Sequence, residues 1–366
     1  MLAENRRLKP GDTIGILGGG QLGRMLAISA ARYGLKAHIF DPAPDAPAAD
    51  VADAHTSAAY TDTDALSAFA QACDVVTFEF ENIPKASLEH LAGLVTLRPG
   101  LASLETSQDR LTEKQFLEGI GLQVAPYTAV DGPQTIQSAH TALGGDTILK
   151  TRRLGYDGKG QARLKTPTID EGASWTAIGK APAVLEARIA FVAEVSAIIA
   201  RGADGETIAY DLPVNTHKDG ILDTSAVGQF ASTAVAPSLV AEAQAAAIKV
   251  AGALDHVGVL AVEFFLTDRD VLLVNEIAPR VHNSGHWTMD ACLNDQFDNH
   301  IRAVAGWPLG SPARHSDALM TNLIGEDVLD LDHYVRSSDT QLHLYGKADA
   351  RKGRKMGHIT QIAPRA

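Results

Sequence analysis

Cysteine is almost missing from this chain: two thiols, Cys73 and Cys292, occur in 366 residues. That excludes a disulfide scaffold and a zinc site built from four thiolates, and it fits a reducing, cytoplasmic setting. No apolar stretch is long enough to span a bilayer, and the one near the start is cut by Asp12 and Gly15, unlike a secretory leader. Positive charge is in deficit, with 32 Lys+Arg against 44 Asp+Glu and a net charge of -12. The molecule as a whole therefore grips neither nucleic acid nor an anionic membrane, and any anionic ligand needs a local cluster of cations. Internal repeats and low-complexity tracts are also lacking. What is present, 45% hydrophobic and 21% charged residues, is the composition of a globular protein of roughly two or three domains.

From Thr13 to about Pro99 short apolar runs alternate with helix-like segments: TIGIL, a helix over 21–33, KAHIFD, a helical stretch around 64–72, then DVVTFEFE. This βαβαβ cadence predicts a doubly wound parallel sheet. Gly18, Gly19 and Gly20 fall between the first strand and its helix, where backbone amides face the ligand-collecting edge of such a sheet. Glu79 and Glu81, two apart at the end of the third predicted strand, point to one face. Arg98-Pro99-Gly100 breaks the pattern, and a helical region follows to Gly121 with Arg110 and Lys114 on one face. A strand ending at Lys150 then enters the loop TRRLGYDGKGQ, strands are expected over 184–189 and 194–201, and AEAQAAAIKVAGAL returns to helix. VGVLAVEFFL and VLLVNEIA flank the turn from Thr267 to Asp270 as a β-hairpin.

Several segments carry chemistry. Gly18, Gly20 and Gly23 spell GxGxxG, and Asp41 ends the second predicted strand, as in dinucleotide-binding folds; by itself this suggests an NAD-dependent oxidoreductase, a phosphate pocket or only a tight turn. GYDGKGQ wraps Gly155, Gly158 and Gly160 around Lys159, with Lys150, Arg152 and Arg153 close by in sequence, a set suited to a polyphosphate or else a hairpin tip. In the hairpin, pairing Leu266 with Val271 sets Glu263 against Val274 and Glu276 diagonally beyond, both on one face of apolar strands. Buried like charges repel unless a cation lies between them, so a metal fits better than two solvated carboxylates. The loop APRVHNSGH gathers Arg280, His282, Asn283 and His286; it lacks a third soft ligand for zinc, and Arg280 favours an anion. The final basic run, Arg351 to Lys355, reads as a solvated tail or as an ordered turn that meets a phosphorylated substrate.

In chain order, GGGQLG, FEFENIP, Lys150, GYDGKGQ, EARIAFVAE, Asn215 with His217, VEFF, NEIAPR, HNSGH and RKMGH resemble the ATP-grasp ligases. Among these they resemble the N5-carboxyaminoimidazole ribonucleotide synthetase family of purine biosynthesis, over nearly the whole chain. The resemblance implies an α/β and α+β architecture: an N-terminal doubly wound parallel sheet domain over 1–100, an ATP-grasp fold over 101–305 with a lid at about 122–190, and a small C-terminal domain over 306–366. It implies an ATP-dependent carbon–nitrogen ligase that joins bicarbonate to 5-aminoimidazole ribonucleotide, with Mg2+ or Mn2+ bound, working as a cytoplasmic homodimer without nucleic acid or membrane partners. A formate-dependent glycinamide ribonucleotide transformylase is the nearest alternative.

Carried over by position, the resemblance places Arg110 and Lys150 at the nucleotide phosphates and closes Gly155, Tyr156, Asp157, Gly158, Lys159, Gly160 and Gln161 over them. Glu186, Ala187, Arg188 and Ile189 become the strand that reads adenine, Glu194 binds the ribose hydroxyls, and His217 sits near the phosphates. Glu263 and Glu276 hold metal with Asn275 beside them, while Lys159, Arg280, His282 and Asn283 serve bicarbonate and carboxyphosphate. Gln21, Leu22, Glu79, Asn283, Lys347, Arg354 and Lys355 hold the ribonucleotide. Two departures stand out: Ala278 replaces an Asn common after the second metal Glu in other ATP-grasp enzymes, and Val281 replaces the second proline of APRPHNSGH, which predicts a less rigid loop.

Overall fold

Apolar segments too short for helices form a parallel sheet of β1 (Thr13–Leu17), β2 (Lys36–Phe40), β3 (Ala54–Thr56) and β4 (Val75–Phe78), in the order β3-β2-β1-β4. The computed structural model describes residues 6–155, 160–165 and 167–365. β3 has no apolar run to announce it; only its pairing with β2 makes Ala-His-Thr a strand. Gly15 in β1 lets the helix Thr63–Gln71 come close, since a Cβ there would lie 2.6 Å from Phe69 and 2.8 Å from the Cys73 sulfur.

A second, antiparallel sheet consists of β5 (Tyr127–Val130), β6 (Thr147–Thr151), β7 (Gln161–Leu164) and β8 (Ala183–Ala187), ordered β5-β8-β6-β7 over its own small core of Val130, Ile136, Leu149 and Leu185. β8 stops at Ala187, so Arg188 and Ile189 follow the strand rather than belong to it, and the Arg188 amide donates to Asp146 O.

The third sheet is the largest. It contains β9 (Ala193–Arg201), β10 (Thr207–Ala209), β11 (Val214–Lys218), β12 (Ile221–Val227), β13 (Gly258–Leu266), β14 (Leu272–Ala278), β15 (Ser316–Ile324), β16 (Thr340–Leu344) and β17 (Lys355–Pro364). Its order is β14-β13-β9-β11-β12-β15-β17-β16, with β10 beside β9. The last three strands thus extend the sheet that carries the carboxylate hairpin, through the pairing of β12 with β15.

The helix Gln296–Val304 joins the first and third sheets. Asp298, 1% exposed, accepts from Ser29 Oγ at 2.7 Å and pairs with Arg32 at 3.0 Å, and His300 meets Thr77 at 2.8 Å. Nearby, buried His256 donates from Nε2 to Val259 O (3.0 Å) and meets Ser103 Oγ at Nδ1 (2.9 Å), a network the neutral ring satisfies. Burial depresses this imidazole to about 4. Because the folded pKa lies below the unfolded value, the unfolded chain binds the extra proton between about pH 6.5 and 4, and stability falls as pH drops through that window. His256→Gln, which keeps a donor and an acceptor, should lose about 2 kcal/mol less than the parent between pH 7 and 5. Urea unfolding at the two pH values measures this; equal losses would assign the acid sensitivity elsewhere.

Candidate active site

β13 and β14 present the two carboxylates together, though not in the register that simple turn pairing predicts. Leu266 faces Leu272 and Phe264 faces Val274, then a bulge absorbs Asn275 and Glu263 stands directly opposite Glu276. The expected diagonal is corrected to a cross-strand pair, which brings the carboxylates closer. The Asn275 side-chain oxygen is left buried without a partner. Glu276 takes a 2.9 Å hydrogen bond from Arg110, and His282 Nε2 lies 3.2 Å from Glu263. The Ser284 amide donates to His282 Nδ1, which assigns the ring proton to Nε2 and makes the His282–Glu263 contact one of a neutral imidazole with a carboxyl group. Burial, then the charges of Arg280 and Lys355, push His282 down to about 3.

The two acids are driven apart in pKa. Burial and the charge of Glu276 raise Glu263 to about 7. Burial acts on Glu276 in the same direction, but Arg110 outweighs it and brings that carboxyl down to about 2. Glu276 leaves 38% of its side chain open to the cleft, so water screens part of this balance. Two hard oxygen donors on one face, whose mutual repulsion helps raise Glu263, suit a magnesium-like cation.

Beside the pair lies a cationic group. Lys150 donates to Glu186 at 2.9 Å, and Glu186 is held below the usual carboxylate range by Lys150 and Lys114 against the opposing effect of burial. Glu194 on β9 meets His217 on β11 at 2.8 Å; the carboxylate raises the imidazole where burial alone would lower it. Gly155, Gly160 and Gln161 flank the segment after β6, while Tyr156, Asp157, Gly158 and Lys159 lie outside the described residues. Two cations from the sequence cluster are already committed: Arg152 and Arg153 pair with Asp109 at 2.9 and 3.2 Å. Asp109 also caps the helix Arg110–Gly119 by accepting from the Leu111 and Thr112 amides. Sequence reading missed Asp109 and also Glu113, whose carboxylate takes a 2.6 Å hydrogen bond from the Ile277 amide.

At the edge of the first sheet, the Gly19 and Gly20 amides donate to Asp41 and Glu79, each at 2.7 Å. Asp41 also accepts from Ala43 N and Tyr60 Oη. The amides and the acid that a dinucleotide would need are therefore used within the protein, and the oxidoreductase reading loses its site. Glu79 itself, raised to about 7 by burial, feels the charges of Arg280 and Lys347, and Arg280 pairs with Glu81 at 2.8 Å. Gln21 opens the helix Gln21–Arg32, whereas the Leu22 side chain is buried in the core and can offer a ligand only its main chain.

The loop after β14 bridges these groups. Val281 is fully buried, and Gln296 clamps His282 by accepting from its amide (2.9 Å) and donating to its carbonyl (2.7 Å), so the missing proline does not leave the backbone unsupported. Asn283 and Asn322, the latter unforeseen, exchange two amide hydrogen bonds at 3.0 and 2.8 Å. From the C-terminal segment, Lys355 acts electrostatically on Glu263, His282 and His217. Lys347 donates to Lys355 O at 2.7 Å, and Arg354 folds its guanidinium back to Asp349 O at 3.0 Å over a turn closed by Arg354 N and Arg351 O. Elsewhere Asp290, His343 and His358 come together, but the two imidazoles stack at 15°, so an ion in the plane of one ring lies off the plane of the other.

Three family models match in this order: a ribonucleotide synthetase preATP-grasp domain over 12–108, an ATP-grasp domain over 115–297, and a phosphoribosylaminoimidazole carboxylase C-terminal domain over 318–366. The chain is 52% identical over 361 residues to the N5-carboxyaminoimidazole ribonucleotide synthase of Brucella melitensis, covering 98% of each. The chain belongs to the N5-carboxyaminoimidazole ribonucleotide synthase family. It is an ATP-dependent ligase of mixed α/β build. Among solved family members, the Staphylococcus aureus synthetase complexed with ADP has a TM-score of 0.92 at 38% identity, covering 99% of this chain and 96% of that one. The Aspergillus clavatus synthase in complex with ADP and 5-aminoimidazole ribonucleotide has a TM-score of 0.90 at 30% identity, with 97% and 95% covered.

Proposed function

We infer that the hairpin and the glycine edge divide one reaction between them: ATP-dependent carboxylation of 5-aminoimidazole ribonucleotide with bicarbonate, giving the N5-carboxylated nucleotide, ADP and phosphate. The observation that carries this reading is the pair Glu263 and Glu276 set opposite each other within reach of Arg110, His282 and Lys355. These two carboxylates, with the orphaned Asn275 oxygen nearby, fit magnesium; when bound, it supplies charge neutralisation for the phosphates. Arg110 and Lys150 take the nucleotide phosphates with His217 near them, Glu194 takes the ribose hydroxyls, and 186–189 the adenine.

Bicarbonate is a poor electrophile until its oxygen attacks the γ-phosphate. Arg280, His282, Asn283 and Lys159 then hold the anionic carboxyphosphate. Its breakdown releases carbon dioxide and phosphate in an enclosed site, where the substrate amine captures the carbon before water does. The ribonucleotide lies against Gln21, the Leu22 main chain and Glu79, with Asn283, Lys347, Arg354 and Lys355 at its phosphate end. A purine-synthesis ligase of this kind works in the cytoplasm, and a homodimer is the expected assembly.

The test is ADP release measured with bicarbonate and aminoimidazole ribonucleotide, then with either omitted, and with formate and glycinamide ribonucleotide instead. Release that depends on the first pair supports the reading; release driven only by the second overturns it. Anchoring can be separated from ATP chemistry. A charge-assisted hydrogen bond contributes roughly 1.5–3 kcal/mol, so Lys347→Met and Arg354→Ala should each raise KM for aminoimidazole ribonucleotide about ten- to a hundredfold and leave KM for ATP unmoved. If KM for ATP rises instead, this segment serves the nucleotide site.

A further inference from the structure

Lys114 has no part in the roles assigned above, yet it is one of the largest fully buried side chains, 1% exposed on the helix Arg110–Gly119. An ammonium taken out of water is costly unless a counter-ion meets it. Here that counter-ion is Glu186, with Lys114 Nζ 3.3 Å from Oε1 in an ion pair that lacks hydrogen-bond geometry. The Tyr127 ring lies 5.8 Å from the same ammonium. The other oxygen of Glu186 takes the 2.9 Å hydrogen bond from Lys150. The two lysines differ in access: the Lys114 side chain is 1% exposed and that of Lys150 is 12%. Lys150 borders the cleft, whereas Lys114 is enclosed beside the carboxylate.

We propose that Lys114 is a positioning residue, the permanent counter-ion of Glu186 that frees the Lys150 ammonium to turn to a nucleotide phosphate. This rests on the nucleotide site proposed above. Were Lys114 absent, Lys150 could leave Glu186 only by stranding a buried carboxylate, which is the expensive half of breaking such a pair. Arg110 also acts on Glu186 through space, but its hydrogen bond is given to Glu276. Lys114 would then govern ATP affinity without touching ATP.

Lys114→Met conserves shape and removes the charge. Its KM for ATP should rise about tenfold, the worth of one charge-assisted contact, while kcat and the KM values for bicarbonate and aminoimidazole ribonucleotide stay close to the parent. Lys114→Arg should recover part of the loss. In a Glu186→Gln background, where no carboxylate is left to be stranded, adding Lys114→Met should change nothing further, a result that general loosening of the helix would not give. The proposal is overturned by an unchanged KM for ATP in folded Lys114→Met, or by equal rises for all three substrates. If Lys114→Met alone does not fold, the double variant is compared with Glu186→Gln: equal ATP affinity supports the role and a further fall overturns it. Lys150→Met is the control for the underlying reading, because an unmoved KM for ATP there would take the nucleotide site and this proposal down together.

Discussion

Glu276→Gln is expected to abolish ATP turnover in a protein that still folds. Two effects add. The neutral amide cannot replace a carboxylate that Arg110 holds ionised at about 2, so half of the anionic grip that would hold magnesium is gone. At the same time Arg110 loses the charge of its 2.9 Å partner. Charge stabilisation by a bound metal is worth several kcal/mol, so the rate should fall by roughly three powers of ten. Glu263→Gln should lower turnover for the same first reason but spare Arg110, leaving ATP binding closer to normal. ADP release under saturating substrates, with melting temperature as the folding control, decides it. Near-parent turnover in folded Glu276→Gln would sink the two-carboxylate assignment.

The same hairpin marks how far sequence reasoning reaches. That Glu263 and Glu276 share a face was legible, because strand side chains alternate and the neighbouring positions are apolar. Their register was not. β14 is an edge strand, and its outer side is held from a distance: the Val274 amide donates to Gln123 O and the Ile277 amide to Glu113. Asn275 lies between those two anchors and is left over as the bulge. Nothing in NEIAPR encodes partners more than a hundred residues earlier.

Charge counting failed in a similar way. Lys150, Arg152 and Arg153 look equivalent in sequence, but Asp109, placed by its duty as a helix cap, binds the two arginines and leaves Lys150 with Glu186. The cap was a local signal, whereas its second use depended on which way β6 returned. The C-terminal strands were hidden for a third reason: their mixed composition reflects an antiparallel sheet with unequal faces, and only pairing with β12 shows that they continue the sheet of the carboxylate hairpin.

Arg280→Met should give the second large loss, and of a different kind. Arg280 stands between the two halves of the site: its Nε pairs with Glu81 at 2.8 Å, its Nη1 donates to Val281 O at 3.0 Å, and its charge acts on both Glu79 and His282. In the proposed function it is therefore the cation shared by the phosphoryl side and the ribonucleotide side. Removing one donor that meets developing anionic charge costs about a hundred- to a thousandfold, and kcat should fall by that much while KM for ATP, which the proposed function gives to Arg110 and Lys150, changes little. The remaining turnover should also be uncoupled, because an intermediate held less firmly reaches water before the amine does, so ADP release exceeds carboxylated nucleotide formed. Arg280→Lys should recover only part of the rate, since a single ammonium cannot keep Glu81, the Val281 carbonyl and an incoming anion in one plane as a guanidinium can. Measuring ADP and carboxylated nucleotide in the same reaction separates the possibilities: a folded Arg280→Met with parent rate and equal amounts of both products would remove Arg280 from the chemistry and leave it a loop-bracing residue.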